Sequence, residues 1–280
     1  MIEYLIRLLK NNHEIATLSR GYKRETVGFQ IVNTNCNAKD VGDEPFQFYQ
    51  KFGNQIQVAV DSNRVNGISQ LMKQVQPANV ILLDDAFQHR KVNAGLNILL
   101  TTYNNPFFKD IVLPTGDLRE PRKGYTRADV IIVTKCPKTI TTLEKEQFIK
   151  HINPRPKQHV FFSSISYAQQ VLSANDKMDL KHFNDFTLVT GIANATPLVE
   201  FLKSKNLRFK HLNFKDHHEF SASDISNLKS QRTILTTEKD FMRLSPHKSL
   251  EKQLYYLPIE VTVDKNEIFD NLVKDFIDTF

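Results

Sequence analysis

The chain has 280 residues, with 37 Lys and Arg against 31 Asp and Glu for a net charge of +6, and ordinary shares of hydrophobic (40%) and charged (24%) residues. That composition excludes a disordered or collagen-like chain, and no uncharged apolar run reaches the ~18 residues needed to span a bilayer. Cys36 and Cys136 are too few and too far apart for a disulfide framework or a metal-ligand spacing, which fits a reducing cytoplasm. The basic balance favours anionic partners, without separating nucleic acid from phospholipid headgroups or nucleotides. The residues after Met1 lack the basic, apolar, small-residue order of a secretory signal. Only nine glycines are present, few for a fold that spends several on a phosphate loop.

In chain order, Ile2, Leu5, Ile6 and Leu9 recur at helical spacing and predict a first helix. Residues 15–18 read as a short strand ending at Ser19-Arg20-Gly21-Tyr22, and residues 55–60 alternate as a second strand before Asp61-Ser62-Asn63. A helix is expected over 65–75. Residues 79–83 form a nearly continuous apolar run, the pattern of a strand buried on both faces of a parallel sheet, and 97–101 and 130–134 repeat it. Pro154-Arg155-Pro156 reads as a linker. Beyond it, strands are expected at 160–163, 186–190, 208–212 and 233–237, with helices at 197–205, 224–229 and 269–280 and a His-rich loop at 214–220. Strands alternating with helices predict an α/β doubly wound parallel sheet over 1–155 and a second, smaller α/β domain over 156–280, the closing helix packing back on the first.

The strongest local feature is Val80-Ile-Leu-Leu-Asp84-Asp85-Ala-Phe-Gln88-His89, because carboxylates just past a buried parallel strand sit where α/β folds bind ligands. Such aspartates serve as Walker B groups that place Mg²⁺ on phosphates; they equally suit the metal of a nucleotide-sugar glycosyltransferase, and a solvated acidic turn is the bland reading. Position alone does not decide between the two metal roles. Gly42-Asp43-Glu44-Pro45 precedes a helix; the pattern favours Asp43 as its cap over Asp43 as a general base at the cleft. Arg20, Lys23 and Arg24 follow one strand, and Arg119, Arg122 and Lys123 follow Pro114-Thr115-Gly116; both are surface runs unless an anion sits between them. Asp216-His217-His218 offers a carboxylate beside two imidazoles, a pattern more often a loop than a site. Phe107-Phe108-Lys109 and the basic loops are candidates for touching a membrane surface.

Taken together and in order, these segments resemble the tetraacyldisaccharide 4′-kinase family of lipid A biosynthesis in Gram-negative bacteria. The likeness rests on Leu18-Ser-Arg-Gly-Tyr22, Val41-Gly-Asp-Glu-Pro45, Leu82-Leu-Asp-Asp-Ala-Phe-Gln-His89 and Leu113-Pro-Thr-Gly-Asp-Leu-Arg-Glu-Pro121. It rests also on Arg127-Ala-Asp129, Val133-Thr-Lys135, Gly191-Ile-Ala-Asn194, Phe214-Lys-Asp-His-His218 and Thr236-Thr-Glu-Lys-Asp240. The resemblance implies a P-loop-type kinase fold and transfer of the γ-phosphate of ATP to the 4′-hydroxyl of an acylated glucosamine disaccharide 1-phosphate, giving lipid IVA. By the same resemblance Asp43 is the catalytic base, His217 assists it, and Asp84 and Asp85 arrange Mg²⁺. Glu44 and Gln88 support the site, while Arg20, Arg64 and Arg119 contact phosphate or developing charge. It implies peripheral contact with the cytoplasmic side of the inner membrane, or a cytoplasmic protein if that contact is lost, and no nucleic-acid partner.

One departure stands out. The family carries a Gly-Gly-Thr-Gly-Lys-Thr-Pro loop just before the helix that here begins at Ile2, and these 280 residues hold no G-x-x-x-x-G-K-[ST] pattern. The family's first strand and apolar amino-terminal segment have no counterpart either, as if from a truncated reading frame or a late start. The expectation is therefore little kinase activity, reduced stability and an opened sheet edge for this polypeptide. A non-catalytic phosphoglycolipid-binding module and a metal-dependent glycosyltransferase are the competing readings.

Overall fold

The computed structural model describes residues 1–279. The chain runs through helix α1 (Ile2–Leu9), strands β1 (Ile15–Ser19) and β2 (Gln30–Ile31), helices α2 (Ala38–Val41) and α3 (Asp43–Phe52), strand β3 (Gln57–Val60), helix α4 (Arg64–Leu71), and strands β4 (Val80–Leu83), β5 (Ile98–Thr102) and β6 (Val130–Thr134). Helix α5 (Thr142–Ile152) leads to β7 (His159–Tyr167), then β8 (Gln170–Leu172), β9 (Lys177–Asp179) and β10 (Phe186–Thr190). There follow α6 (Thr196–Ser204), β11 (Phe209–Asn213), α7 (Ala222–Lys229), β12 (Ile234–Thr237), α8 (Glu238–Leu244), β13 (Leu254–Leu257), β14 (Ile259–Val263) and α9 (Asn266–Asp278). Residue 280, where the last helix was expected to end, lies outside the described residues.

In the first half, β1 is flanked by parallel β3 and β4 in the order β2-β3-β1-β4, and β6 by parallel β5 and β7 in the order β14-β7-β6-β5. Burial follows from those neighbours. Val130 to Val133 of β6 are fully buried, as a continuous apolar run requires. The same expectation fails for β4 and β5, which are only half-buried, with Leu100 exposed. Each has a partner on one side only, so the sheet is parted between them. Helix α4 also stops at Leu71, short of the expected residue 75.

The strand after the expected linker, β7, pairs with β6, and the chain returns to this sheet through β14, antiparallel to β7. Helix α9 closes the fold with Phe269, fully buried against Tyr4 of α1 and Phe161 of β7. Burying a Phe so completely contributes roughly 2–3 kcal/mol. One hydrophobic core therefore runs through α1, α3, β6, β7, α8 and α9, while a smaller one packs against the six-stranded sheet β11-β10-β12-β13-β8-β9. Helix α3 packs directly on α8, and that contact brings residues near 43 to residues near 240.

Candidate functional site

Strands β1, β3 and β4 are parallel, so the loops after them share one edge of the sheet. Asp84 and Asp85 follow β4 and face different environments. Asp84 turns inward within 3.4 Å of the Ser19 hydroxyl; burial pushes its carboxyl above the ordinary value, with the charges of Glu44 and Asp85 adding to the shift and the Met1 amine and Ser19 opposing it. Asp85 takes a left-handed backbone (φ 47°), which swings its carboxylate outward onto the Arg119 Nη1 at 2.8 and 2.9 Å. Arg64 lies beneath the edge, 3% exposed; its guanidinium donates to the carbonyls of Asp61 at 2.6 Å and Asp84 at 3.0 Å, and its buried Nε has no partner. Arg20 and Gln88 are exposed at the same edge. Arg20, Tyr22, Lys23, Thr26 and Ser62 line an open cleft of about 390 Å³ beside it.

A second group assembles across the α3–α8 contact. Gly42, with φ 96°, lets the chain turn into α3 while its backbone packs on Gly21 and Tyr22, where a Cβ would come within 3.3 Å. Asp43 is the first residue of α3 and makes no capping bond, which corrects the cap reading of the pattern. Its carboxylate instead takes two bonds from Arg243 of α8, 200 positions away: Nε at 3.1 Å and a closer one from Nη2. The same guanidinium reaches the fully buried Asp240 at 3.2 Å and the Gly191 carbonyl at 3.4 Å. Asp240 is further held by the Gly191 N–H at 2.9 Å and the Thr237 hydroxyl at 2.7 Å.

His217 completes this group, also with a left-handed backbone (φ 57°) fixed by its N–H on the Gly191 carbonyl. Its Nδ1 lies 3.5 Å from the Asp43 carboxylate and 3.1 Å from Arg243 Nη2; its Nε2 lies 3.0 Å from Lys239 Nζ. A neutral imidazole has one acceptor nitrogen, so it satisfies one of these two cationic donors at a time. Lys239 also sits 3.6 Å from Glu44. The neighbouring His218 is different in kind: it bonds Asp224 in the capping box of α7 and stacks on Phe214. The structure thus brings Asp43, Glu44 and His217 into one group and Asp84, Asp85, Arg64 and Arg119 into another, coupled through the Glu44 charge on Asp84. Arg243 and Lys239 carried no role in the sequence reading. The one signal for them was the Thr236-Thr-Glu-Lys-Asp240 segment, in which Asp240 stands three residues before Arg243 on a helix.

The parallel strands and the paired carboxylates past one strand's end form the arrangement in which α/β proteins bind nucleotide phosphates. A family model described as tetraacyldisaccharide-1-P 4′-kinase matches residues 1–278, and the chain belongs to that family. The tetraacyldisaccharide 4′-kinase of Flavobacterium johnsoniae is 46% identical over 99% of this chain and 82% of its own length, and that of Bacteroides thetaiotaomicron is 42% identical over 95% and 76%. The fold matches a crystal structure of LpxK from Aquifex aeolicus in complex with ATP, with a TM-score of 0.75 and 25% identity over 99% of this chain and 82% of that one. The chain is thus an enzyme of the kinase class with an ATP-binding fold, and neither the glycosyltransferase nor the non-catalytic module is favoured.

Proposed function

We propose that this chain transfers the γ-phosphate of ATP to the 4′-hydroxyl of a tetraacylated glucosamine disaccharide 1-phosphate, with Asp43 as the base. The observation that carries the assignment is the Asp43–His217 pair, 3.5 Å apart and clamped by Arg243 from the far end of the chain. With its proton on Nδ1, His217 presents an N–H toward the Asp43 carboxylate 3.5 Å away and leaves Nε2 to accept from Lys239, so the imidazole supports the carboxylate as an incoming hydroxyl approaches. Asp43 takes the hydroxyl proton as the sugar oxygen bonds to the γ-phosphorus and the Pγ–O bond to the departing ADP breaks. Arg119 and Arg20 supply positive charge at the same edge for the transferred group, and Arg64 holds the Asp84 backbone from below. Glu44 keeps Lys239 in place, and Gln88 is free to contact the nucleotide.

The donor set at the sheet edge fits Mg²⁺. Asp84 is a buried carboxyl held against its preference among the like charges of Glu44 and Asp85, which a cation would relieve. Among the described residues no group of three or more potential ligands converges, so Asp84 and Asp85 would hold the ion with few protein oxygens. When bound, Mg²⁺ neutralises charge on the phosphate oxygens.

No helix among the described residues is long and apolar enough to cross a membrane. The acylated acceptor is met by peripheral contact at the cytoplasmic face of the inner membrane. The test is phosphate transfer to the acceptor by the wild-type chain and by Asp43→Asn and His217→Ala. Asp43→Asn is expected to lose at least ~10²-fold in transfer rate and His217→Ala less. Transfer by Asp43→Asn within a few-fold of wild type would remove Asp43 from the role.

A further inference from the structure

The aromatic pair Phe107-Phe108, a sequence candidate for membrane contact, is packed inward. Phe107 stacks on Tyr125 at 5.5 Å and Phe108 on His151 at 5.4 Å. The loop that follows does the opposite. Ile111, Val112 and Leu113 are 49%, 40% and 57% exposed, three consecutive aliphatic side chains in water. They are not exposed for want of structure. The Asp110 carboxylate accepts the N–H groups of Ile111 and Asp117, Leu118 N–H donates to the Ile111 carbonyl at 3.1 Å, and Leu113 N–H donates to the Leu118 carbonyl at 3.0 Å. A Cβ at Gly116 would fall 2.3 Å from the Ile111 carbonyl, so the turn is closed tightly. The backbone is satisfied, and the aliphatic side chains are presented outward by a built loop.

Charge surrounds this tip. Lys109, Arg122 and Lys123 are exposed, and among the described residues none is ion-paired, while the nearby Glu120 is already taken by Arg90 and Arg127. The Arg119–Asp85 contact ties the loop to the candidate site. Across the same edge, the loop after β1 exposes Val27 and Tyr22 beside Arg20 and Lys23. A scattered surface aliphatic needs no explanation, but three in a row on an ordered loop match an acyl boundary beneath anionic headgroups, flanked in sequence by exposed cations that form no ion pair among the described residues, Arg122 Nε donating to the Asp110 carbonyl at 2.6 Å.

We propose that the 110–118 loop dips into an anionic phospholipid bilayer. Ile111, Val112 and Leu113 enter the headgroup–acyl boundary, and Lys109, Arg122 and Lys123 rest on lipid phosphates. The inference rests on the reading of a membrane-borne acceptor and names the surface that meets it. Arg119, at the loop's end, then stands where a lipid headgroup passes from bilayer to site.

Co-sedimentation with phosphatidylcholine vesicles, with and without phosphatidylglycerol, tests this without ATP or acceptor. Failure here therefore leaves the kinase reading standing, and loss of transfer activity leaves this one standing. The wild type is expected to partition onto the anionic vesicles, more weakly as salt rises. Ile111→Ser with Leu113→Ser is expected to lower partitioning about tenfold. Lys109→Gln with Lys123→Gln is expected to lower it about as much on anionic vesicles and to flatten the salt dependence. Val75→Ser, at a fully exposed site elsewhere, serves as the control and should bind as wild type does. The mutated side chains are exposed, so unfolding transitions should match wild type and show that the loss is not a folding defect. The proposal is overturned if the wild type ignores anionic vesicles, if the Ile111/Leu113 variant binds as wild type does, or if Val75→Ser loses as much.

Discussion

Replacing Arg243 by Ala removes the group that joins α8 to α3. In the structure its guanidinium, only 12% exposed, serves Asp43, Asp240 and the Gly191 carbonyl at once. Deleting one partner of a buried ion pair typically costs about 3–5 kcal/mol, because a desolvated charge is left behind. Two features reduce that here. Asp240 keeps the Gly191 N–H and the Thr237 hydroxyl, and Asp43 is 19% exposed in the first turn of a helix, where negative charge is favoured. The expected loss is about 2–3 kcal/mol, or a fall of ~3–5 °C in Tm for a chain of this size. Urea unfolding of wild type, Arg243→Ala, Asp43→Asn and the double variant gives both the loss and the coupling, which should reach about 1–2 kcal/mol for groups in direct contact. Arg243→Lys should recover only part, since an ammonium cannot span the same acceptors. An Arg243→Ala stability within about 0.5 kcal/mol of wild type, or an additive cycle, would refute the clamp.

Two further expectations follow from burial. Because burial holds the Asp84 carboxyl above its ordinary value of 3.8, the folded chain keeps a proton that the unfolded chain has already released. Stability therefore falls as pH rises through the folded value, and Asp84→Asn should be more stable than wild type at pH 7, the gain vanishing below the unfolded value. Urea titrations at both pH values check this, and a destabilised Asp84→Asn at pH 7 would contradict it. Burial also pushes the Cys136 thiol up to about 11, while Cys36 is half-buried on the surface. Alkylation of the native chain near pH 7, followed by mass spectrometry, should label Cys36 and spare Cys136 until the chain unfolds; equal labelling would overturn that.

Elements set by local pattern were legible in the sequence. The spacing of Leu5, Ile6 and Leu9 predicted α1, and the run 130–133 predicted a strand with neighbours on both sides. The equally apolar run of β4 misled, because burial on both faces depends on who pairs with a strand, and that is not written in the strand. Asp84 and Asp85 stood out because their position past a strand has local meaning, and the structure sets both at the edge after β4. The Asp43 pattern pointed toward a cap, since its partner Arg243 stands 200 residues away and only the packing of α3 on α8 joins them. His217 and His218 look alike in sequence, yet backbone strain sends one to Asp43 and capping geometry sends the other to Asp224.

The central claim is that this site delivers phosphate to a sugar hydroxyl of an acylated disaccharide. The direct measurement uses ATP labelled in the γ-phosphate, Mg²⁺ and tetraacylated disaccharide 1-phosphate, with the protein in excess over acceptor. The protein excess and a high ATP concentration make the transfer a single turnover. The account expects the label on the 4′-oxygen of the disaccharide and none there with Asp43→Asn. Release of label as free phosphate with the acceptor unchanged, or label at another position, would contradict it.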